Sequence, residues 1–403
     1  LSNFKEGAMA EEFKVKRSIK EINAKIEKGE VVVLTAEEFS KLVKEVGPVQ
    51  AAKEVDVVTT GTFSPMCSSG AFINFGHTVP TIKAHRVWLN DVPAYAGLAA
   101  VDIYIGATEP REDDPLNKVF PGQFLYGGGH VIHDLVAGKR VLLRATAYGT
   151  HCYPRKSLEM EITIHDLVNA VLCNPRNAYQ NYNVAINLSD KILYTYMGIL
   201  KPNVANANYA TSGCLSPLLK DPYLKTIGIG TRIFLGGAKG YVVWAGTQHR
   251  MEVKRSPKGV PIQPAATLMV IGNLKEMKPE WLIGTSHIGY GCSLAVGLGI
   301  PIPILNENVA EWAGLSDEDL LAQVVDYSHD YPNGIKRNYG IVSYSELKSG
   351  KIRILGKEVP TVPLTSMVKS REIAEILKNW IKRGEMLLTE PVAPLPGASL
   401  FPM

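Results

Sequence analysis

Two cysteines lie in segments whose composition suits chemistry better than packing. Cys67 sits in GTFSPMCSSGAFINFGH and Cys152 in RATAYGTHCYPRK. Both are surrounded by Gly, Ser, Thr and His, whereas a thiol kept for packing usually lies among Leu, Val and Ile. Backbone amides and nearby cations can hold a thiolate, the form that attacks electrophiles and binds metals. His77 and His151 accompany the pair. An imidazolium lowers a neighbouring thiol pKa, and a neutral imidazole moves protons near neutral pH. The first reading is an enzyme of sulfur chemistry.

The chain has five cysteines. Cys292 lies in the glycine-rich IGYGCSLAVGLG, where the backbone can approach a bulky ligand closely. Cys173 follows an apolar run read as helical and reads as core filler, while Cys214 fits either role. No C-x-x-C occurs, which removes a thioredoxin-like motif and a zinc ribbon. The ferredoxin run of closely spaced cysteines is also missing. Two chemistries stay open. Dispersed thiolates can gather an iron–sulfur cluster with one open iron, or one thiolate can carry a persulfide and pass on its outer sulfur.

Candidate holders of an anionic substrate are Arg155 beside Cys152, Arg176 in NPRNAYQNYN, and Arg232 in GIGTRIFLGG. A guanidinium grips a carboxylate through two parallel bonds. The glycines around Arg232 serve equally as tight hairpin turns. They match neither the phosphate-loop nor the dinucleotide pattern. His130 and His133 share a helix face at chelating spacing, but no third ligand accompanies them. The serine nucleophile elbow is absent.

These residues need elements to place them. Ile19, Ile22 and Ile26 mark a helix over Ser18–Lys28, followed by a strand at Val31–Leu34. Thr35 and Glu38 form a capping box for a helix whose apolar face is Phe39, Leu42, Val43 and Val46. Val55–Thr59 reads as a strand feeding the Cys67 loop. Gly127–Gly129 opens a helix to Ala137, and a strand over Arg140–Tyr148 feeds the Cys152 loop. Further strands are expected at Ile192–Met197, Arg232–Leu235, Tyr241–Trp244, Leu268–Gly272 and Ala295–Leu305. Asp317–Asp326 reads as a helix and Lys351–Leu355 as a strand. A last helix carries Ile373, Ile376, Leu377, Trp380 and Ile381 on one face. The fold class expected is α/β, with mixed sheets, flanking helices and a small C-terminal α+β section.

The organisation expected is a catalytic core over 13–305, a C-terminal section over 306–390, and a disordered tail over 391–403. Residues 1–12 read as disordered or vector-derived, and no CBS domains are expected. A net charge of +4 and pI near 8.6 argue against nucleic-acid binding. No secretory signal or membrane span is read, so the cytoplasm is the expected location.

The stretches EVDVVTTGTFSPMCSSGAFINFGH, YGGGHVIHDLVAGK, AYGTHCYPRK, NPRNAYQNYN, IGIGTRIFLGG and GLGIPIPILN together resemble the homocysteine biosynthesis (HcyBio) family, formerly DUF39. The resemblance implies an L-aspartate semialdehyde sulfurtransferase. The aldehyde, a sulfide-level sulfur and two electrons would give L-homocysteine. It implies functional roles for Cys67 and Cys152 and an oxygen-sensitive [4Fe-4S] cluster, with Cys292 as the expected third ligand. Electrons would come from a ferredoxin-like iron–sulfur partner with a NIL domain, and a homo-oligomer is expected. Two other readings are a non-redox hydratase or lyase built on an open-iron cluster, and a non-catalytic sulfur or cluster carrier.

Overall fold

The computed structural model describes residues 13–331 and 337–401, so the expectation for residues 1–12 lies outside the described residues. Near the N-terminus, local signals and structure agree. Ser18 and Glu21 cap helix α1 (Ile19–Lys28), which buries Ile19, Ile22 and Ile26. Thr35 and Glu38 cap α2 (Ala36–Glu54) in the same reciprocal way. That helix bends at Gly47, where φ is 77°, just before Pro48. Proline cannot donate the bond that would keep the helix straight.

The centre of the protein is a nine-stranded sheet in which every pairing is antiparallel. Its Gly291–Gly299 strand is buried along its whole length, with Thr62–Pro65 and Leu282–His287 as neighbours. Small residues allow helices to lie close on both faces. A side-chain carbon on Gly129 of α3 (Gly128–Val136) would strike the Ser293 carbonyl at 2.1 Å. One on Gly297 would meet Ile373 of the last helix (Met367–Lys382) at 3.1 Å. Ile373, Leu377 and Ile381 join Ile22, Ile26 and Phe234 in one apolar cluster, so the last helix packs against α1.

A second sheet of six strands is mixed. Val184–Ile186 runs parallel to Leu321–Asp326, and Ala207–Tyr209 runs parallel to Lys357–Pro363. The section after residue 306 is therefore completed by strands from the middle of the chain. A four-stranded sheet holds Arg86–Leu89, Val141–Thr146 and Ser157–Ile162, and the loop between the last two carries Cys152.

Three expectations are corrected. Asp317–Asp326 is a turn followed by a strand: Asp319 accepts from the Ser316 amide and hydroxyl, and Leu321–Asp326 then lies within the six-stranded sheet. Parallel pairing to Val184–Ile186 overrides the helical reading of its short apolar run. Cys173 belongs to the Asn169–Asn177 strand, not to the end of a helix. The tail is ordered through Phe401. Ala393–Pro394 pairs with Gly228–Ile229, Leu395 is buried, and Phe401 stacks on Trp312.

Candidate functional site: a tyrosine-walled cavity at Cys67

Cys67 occupies the turn that joins two strands of the large sheet, Thr62–Pro65 and Gly70–Asn74. The Ser69 amide and hydroxyl both donate to the Met66 carbonyl, at 3.0 and 2.7 Å. Buried Asn174 fixes the turn from the neighbouring strand. Its Nδ2 donates to Ser69 Oγ at 2.8 Å. Its Oδ1 accepts from Ser68 Oγ at 2.9 Å and from the Arg176 amide at 3.0 Å. One side chain thus sets the position of both Cys67 and Arg176.

Cys67 and Arg176 line a cavity of about 240 Å³ between the large sheet and the six-stranded one. That volume lies below the roughly 300–1,000 Å³ of sites for drug-sized ligands, and it suits a small metabolite. Ser293, fully buried, donates its hydroxyl to Cys67 Sγ at 3.2 Å. Tyr290 turns its phenol toward Cys67, and burial followed by the nearby thiol pushes that phenol up. Among the described residues, no carboxylate pairs with the Arg176 guanidinium.

Tyr179, Tyr182, Tyr196, Tyr290 and Tyr331 form much of the wall. The Tyr182 and Tyr196 hydroxyls bond each other, and Tyr196 reaches the Tyr327 hydroxyl at 2.9 Å. Asn183 Nδ2 donates to Tyr327 at 2.9 Å. Burial, then the neighbouring phenols, raises Tyr196 well above its ordinary value, so it stays protonated. Met66 and Leu364 add apolar wall, and Ser68, Thr211, Ser216 and Gln248 add neutral polar groups.

The expected convergence of the two cysteine loops is not found within the chain. Cys152 is exposed. Its carbonyl accepts from Thr81 Oγ1 at 2.7 Å, and its neighbour Tyr153 stacks on His77. His77 follows the Asn74 end of the Gly70–Asn74 strand, whereas Cys67 precedes the Gly70 end. The two thiols are thus separated by a strand about 14 Å long at ~3.4 Å per residue. His77, His151, Cys152 and Arg155 share one exposed pair of loops, where Arg155 Nη2 donates to the Val79 carbonyl at 3.0 Å.

Two other candidates lie elsewhere. Cys292 is next to Ser293 on one strand, and successive side chains point to opposite faces. Ser293 faces Cys67, while the Cys292 sulfur faces Gly127 at the start of α3, where a side-chain carbon would come within 2.6 Å. Arg232 bonds the Leu387 carbonyl at 3.0 Å and is absent from the cavity wall. The glycines after it, Gly236 and Gly237, make a hairpin turn with φ of 59° and 88°. His130 stacks on Tyr126, and His133 Nδ1 accepts from the Gly284 amide at 3.4 Å. Among the described residues, no three His, Cys, Asp or Glu side chains gather to hold a metal.

The sequence reading missed Ser293, Asn174 and the tyrosines. Ser293 was accessible in principle, because strand alternation puts it opposite Cys292. Tyr179 and Tyr182 stood in a quoted motif, but nothing local showed that Tyr196, Tyr290 and Tyr331 would meet them.

No solved structure gives a significant match to the chain. A protein of Methanosarcina acetivorans named L-aspartate semialdehyde sulfurtransferase is 49% identical over 384 residues, covering 94% of this chain and 72% of the relative. A protein of the same name from Methanocaldococcus jannaschii is 49% identical over 405 residues, covering 96% and 75%. Among the described residues, no helix is long and apolar enough to cross a membrane. Residues 31–388 match the family described as homocysteine biosynthesis enzyme, sulfur-incorporation, and the chain belongs to that family.

Proposed function

We propose that this protein inserts sulfide-level sulfur into L-aspartate semialdehyde to give L-homocysteine, with the Cys67 cavity as the place of reaction. The observation that carries the reading is the juxtaposition, in one small cavity, of Cys67 and an arginine with no carboxylate partner among the described residues. Among the five cysteines, Cys67 alone lines it. The two relatives that carry the name support the reaction.

The chemistry balances with sulfide. HS⁻ adds to the aldehyde carbon, the former carbonyl oxygen takes protons and leaves as water, and a thioaldehyde remains. Two electrons and two protons reduce it to the thiol. If the sulfur arrives as a persulfide, its release as sulfide takes two more electrons. The chain supplies no electron carrier in this account, so an external reductant such as the ferredoxin-like iron–sulfur partner is part of the proposal. Arg176 would hold the substrate carboxylate. Tyr290, which lines the cavity beside Cys67, would supply a proton or hydrogen bond to the departing oxygen, and Ser293 would hydrogen-bond the Cys67 sulfur from behind the wall. Cys152, exposed beside Arg155 and Lys156, would be the thiol open to a sulfur donor.

A [4Fe-4S] cluster held by Cys67, Cys152 and Cys292 does not fit this arrangement. The three thiols occupy the cavity, an exposed loop at the other end of a strand, and the opposite sheet face.

The test is homocysteine formation from aspartate semialdehyde, sulfide and a low-potential reductant under anaerobic conditions. The Cys67→Ala protein is expected to make none above the protein-free background. Turnover at the wild-type rate would remove Cys67 from the reaction.

A further inference from the structure

Strand alternation gives the large sheet two faces. One holds the buried core, with Ala71, Leu172, Val270 and Val242 fully enclosed. The other is covered only in part. Gly299, Phe234 and Lys239 stand side by side on it. The last helix reaches as far as Phe234, where Ile373 lies against Gly299 and Trp380 packs on the Phe234 ring. From the Lys239 strand outward, five strands leave this face open.

The register fixes what stands there. Tyr104, Phe72 and Val171 are direct neighbours across three strands. Cys173, Ile271 and Tyr241 form the next row, and Met269 beside Trp244 forms the third. Phe72, Tyr241 and Trp244 are 41%, 38% and 52% exposed, and the others are half-buried. None of them belongs to a buried apolar cluster. Among the described residues of this face, charge stands only at the margins: on Asp102, on Lys239, and on Arg232 over the Tyr241 ring.

We infer that this face is where two copies of the chain pack, sheet against sheet. Five strands at ~4.8 Å and about five residues at ~3.4 Å span roughly 400 Å². A stable contact takes about 800 Å² from each partner, little more than half of it apolar. The open rows supply that apolar centre, and Asn74, Asn169, Asn273, Asp102 and Lys239 supply a polar rim. Aromatic and methionine side chains with no charge among them suit an obligate contact between like subunits, whereas electron-transfer encounters are small. An uncharged centre also meets its own copy without repulsion.

Sedimentation equilibrium of the purified protein is expected to give twice the 44.0 kDa of one chain. Trp244→Glu and Phe72→Glu each put a charge on an exposed position of the face, and each should weaken the dimer at least about tenfold. Cys173 reports the location, because it stands on the middle one of the five strands, two strands away from Trp244. Its alkylation should slow about tenfold or more as wild-type protein is concentrated into the dimer. In Trp244→Glu at the same concentration it should keep the rate of the dilute protein. A monomeric wild-type protein overturns the inference. So does a dimer that both glutamate variants retain, with Cys173 labelled as fast as in dilute protein. Should either variant fail to fold by circular dichroism, the concentration dependence of Cys173 labelling in the wild type decides alone.

Discussion

Asn174→Ala separates positioning from chemistry, because Asn174 touches neither open cavity nor solvent. It is fully buried and makes three bonds to the Cys67 turn and the Arg176 backbone. After the substitution Ser68 Oγ still reaches the Arg176 carbonyl at 3.0 Å, and Ser69 Oγ still reaches Met66 at 2.7 Å. Only the Arg176 amide is left without its partner. One orphaned buried donor costs about 1–3 kcal/mol, which should appear as a lower urea midpoint. The effect on activity should be larger than that cost implies, because the turn and Arg176 loosen together. A displacement of ~1 Å at reacting groups can cost about 100-fold, so kcat/KM for homocysteine formation is expected to fall about 10- to 100-fold. Wild-type stability together with kcat/KM within about twofold of wild type would refute the claim that Asn174 sets the site.

Replacing Arg176 with Met removes charge-assisted bonds of about 1.5–3 kcal/mol, or roughly 10- to 150-fold in kcat/KM, carried mainly by KM. Lysine at that position should recover part of the loss without the forked contact; a steady-state comparison that finds Met equal to wild type rejects the assignment. Cys292→Ser should leave turnover close to wild type and leave iron and acid-labile sulfide contents unchanged after anaerobic purification. A selective loss of iron would place Cys292 among the ligands. Burial pushes His130, His133 and His287 below their ordinary value of 6.5. The unfolded chain then binds protons that the fold excludes, so their contribution is intact above that value and is lost as pH falls through the depressed folded values. The urea midpoint should drop between about pH 7 and about pH 5, and His287→Asn should flatten the slope; a midpoint that rises on acidification would contradict this sign.

Local sequence signals carried the helices well. Ser18–Glu21 and Thr35–Glu38 are short-range devices, and the face of Ile373, Leu377 and Ile381 follows from period alone. The strand after Ser316 was illegible for the opposite reason: its partner at Val184–Ile186 lies far away in the chain, and only that pairing decides strand over helix. The Pro-rich tail looked unable to order itself, yet Leu395 and Phe401 find apolar partners that the rest of the fold provides. At the site, composition identified Cys67 and the NPRN segment. It could not reveal that Cys67 and Cys152 sit beyond opposite ends of one strand, because register and chain direction are properties of the assembled sheet. Likewise Cys292 and Ser293 are adjacent in sequence, and the pleat sends one away from the cavity and the other toward Cys67.

The most direct test is peptide-resolved mass spectrometry of cysteine alkylation in the anaerobic protein, with and without saturating L-aspartate semialdehyde and with sulfide withheld. The account predicts that substrate slows labelling of Cys67 about tenfold or more by filling the cavity, while labelling of exposed Cys152 keeps its rate. Protection of Cys152 with Cys67 labelled as fast as before would place the substrate at the other end of the strand and contradict the account.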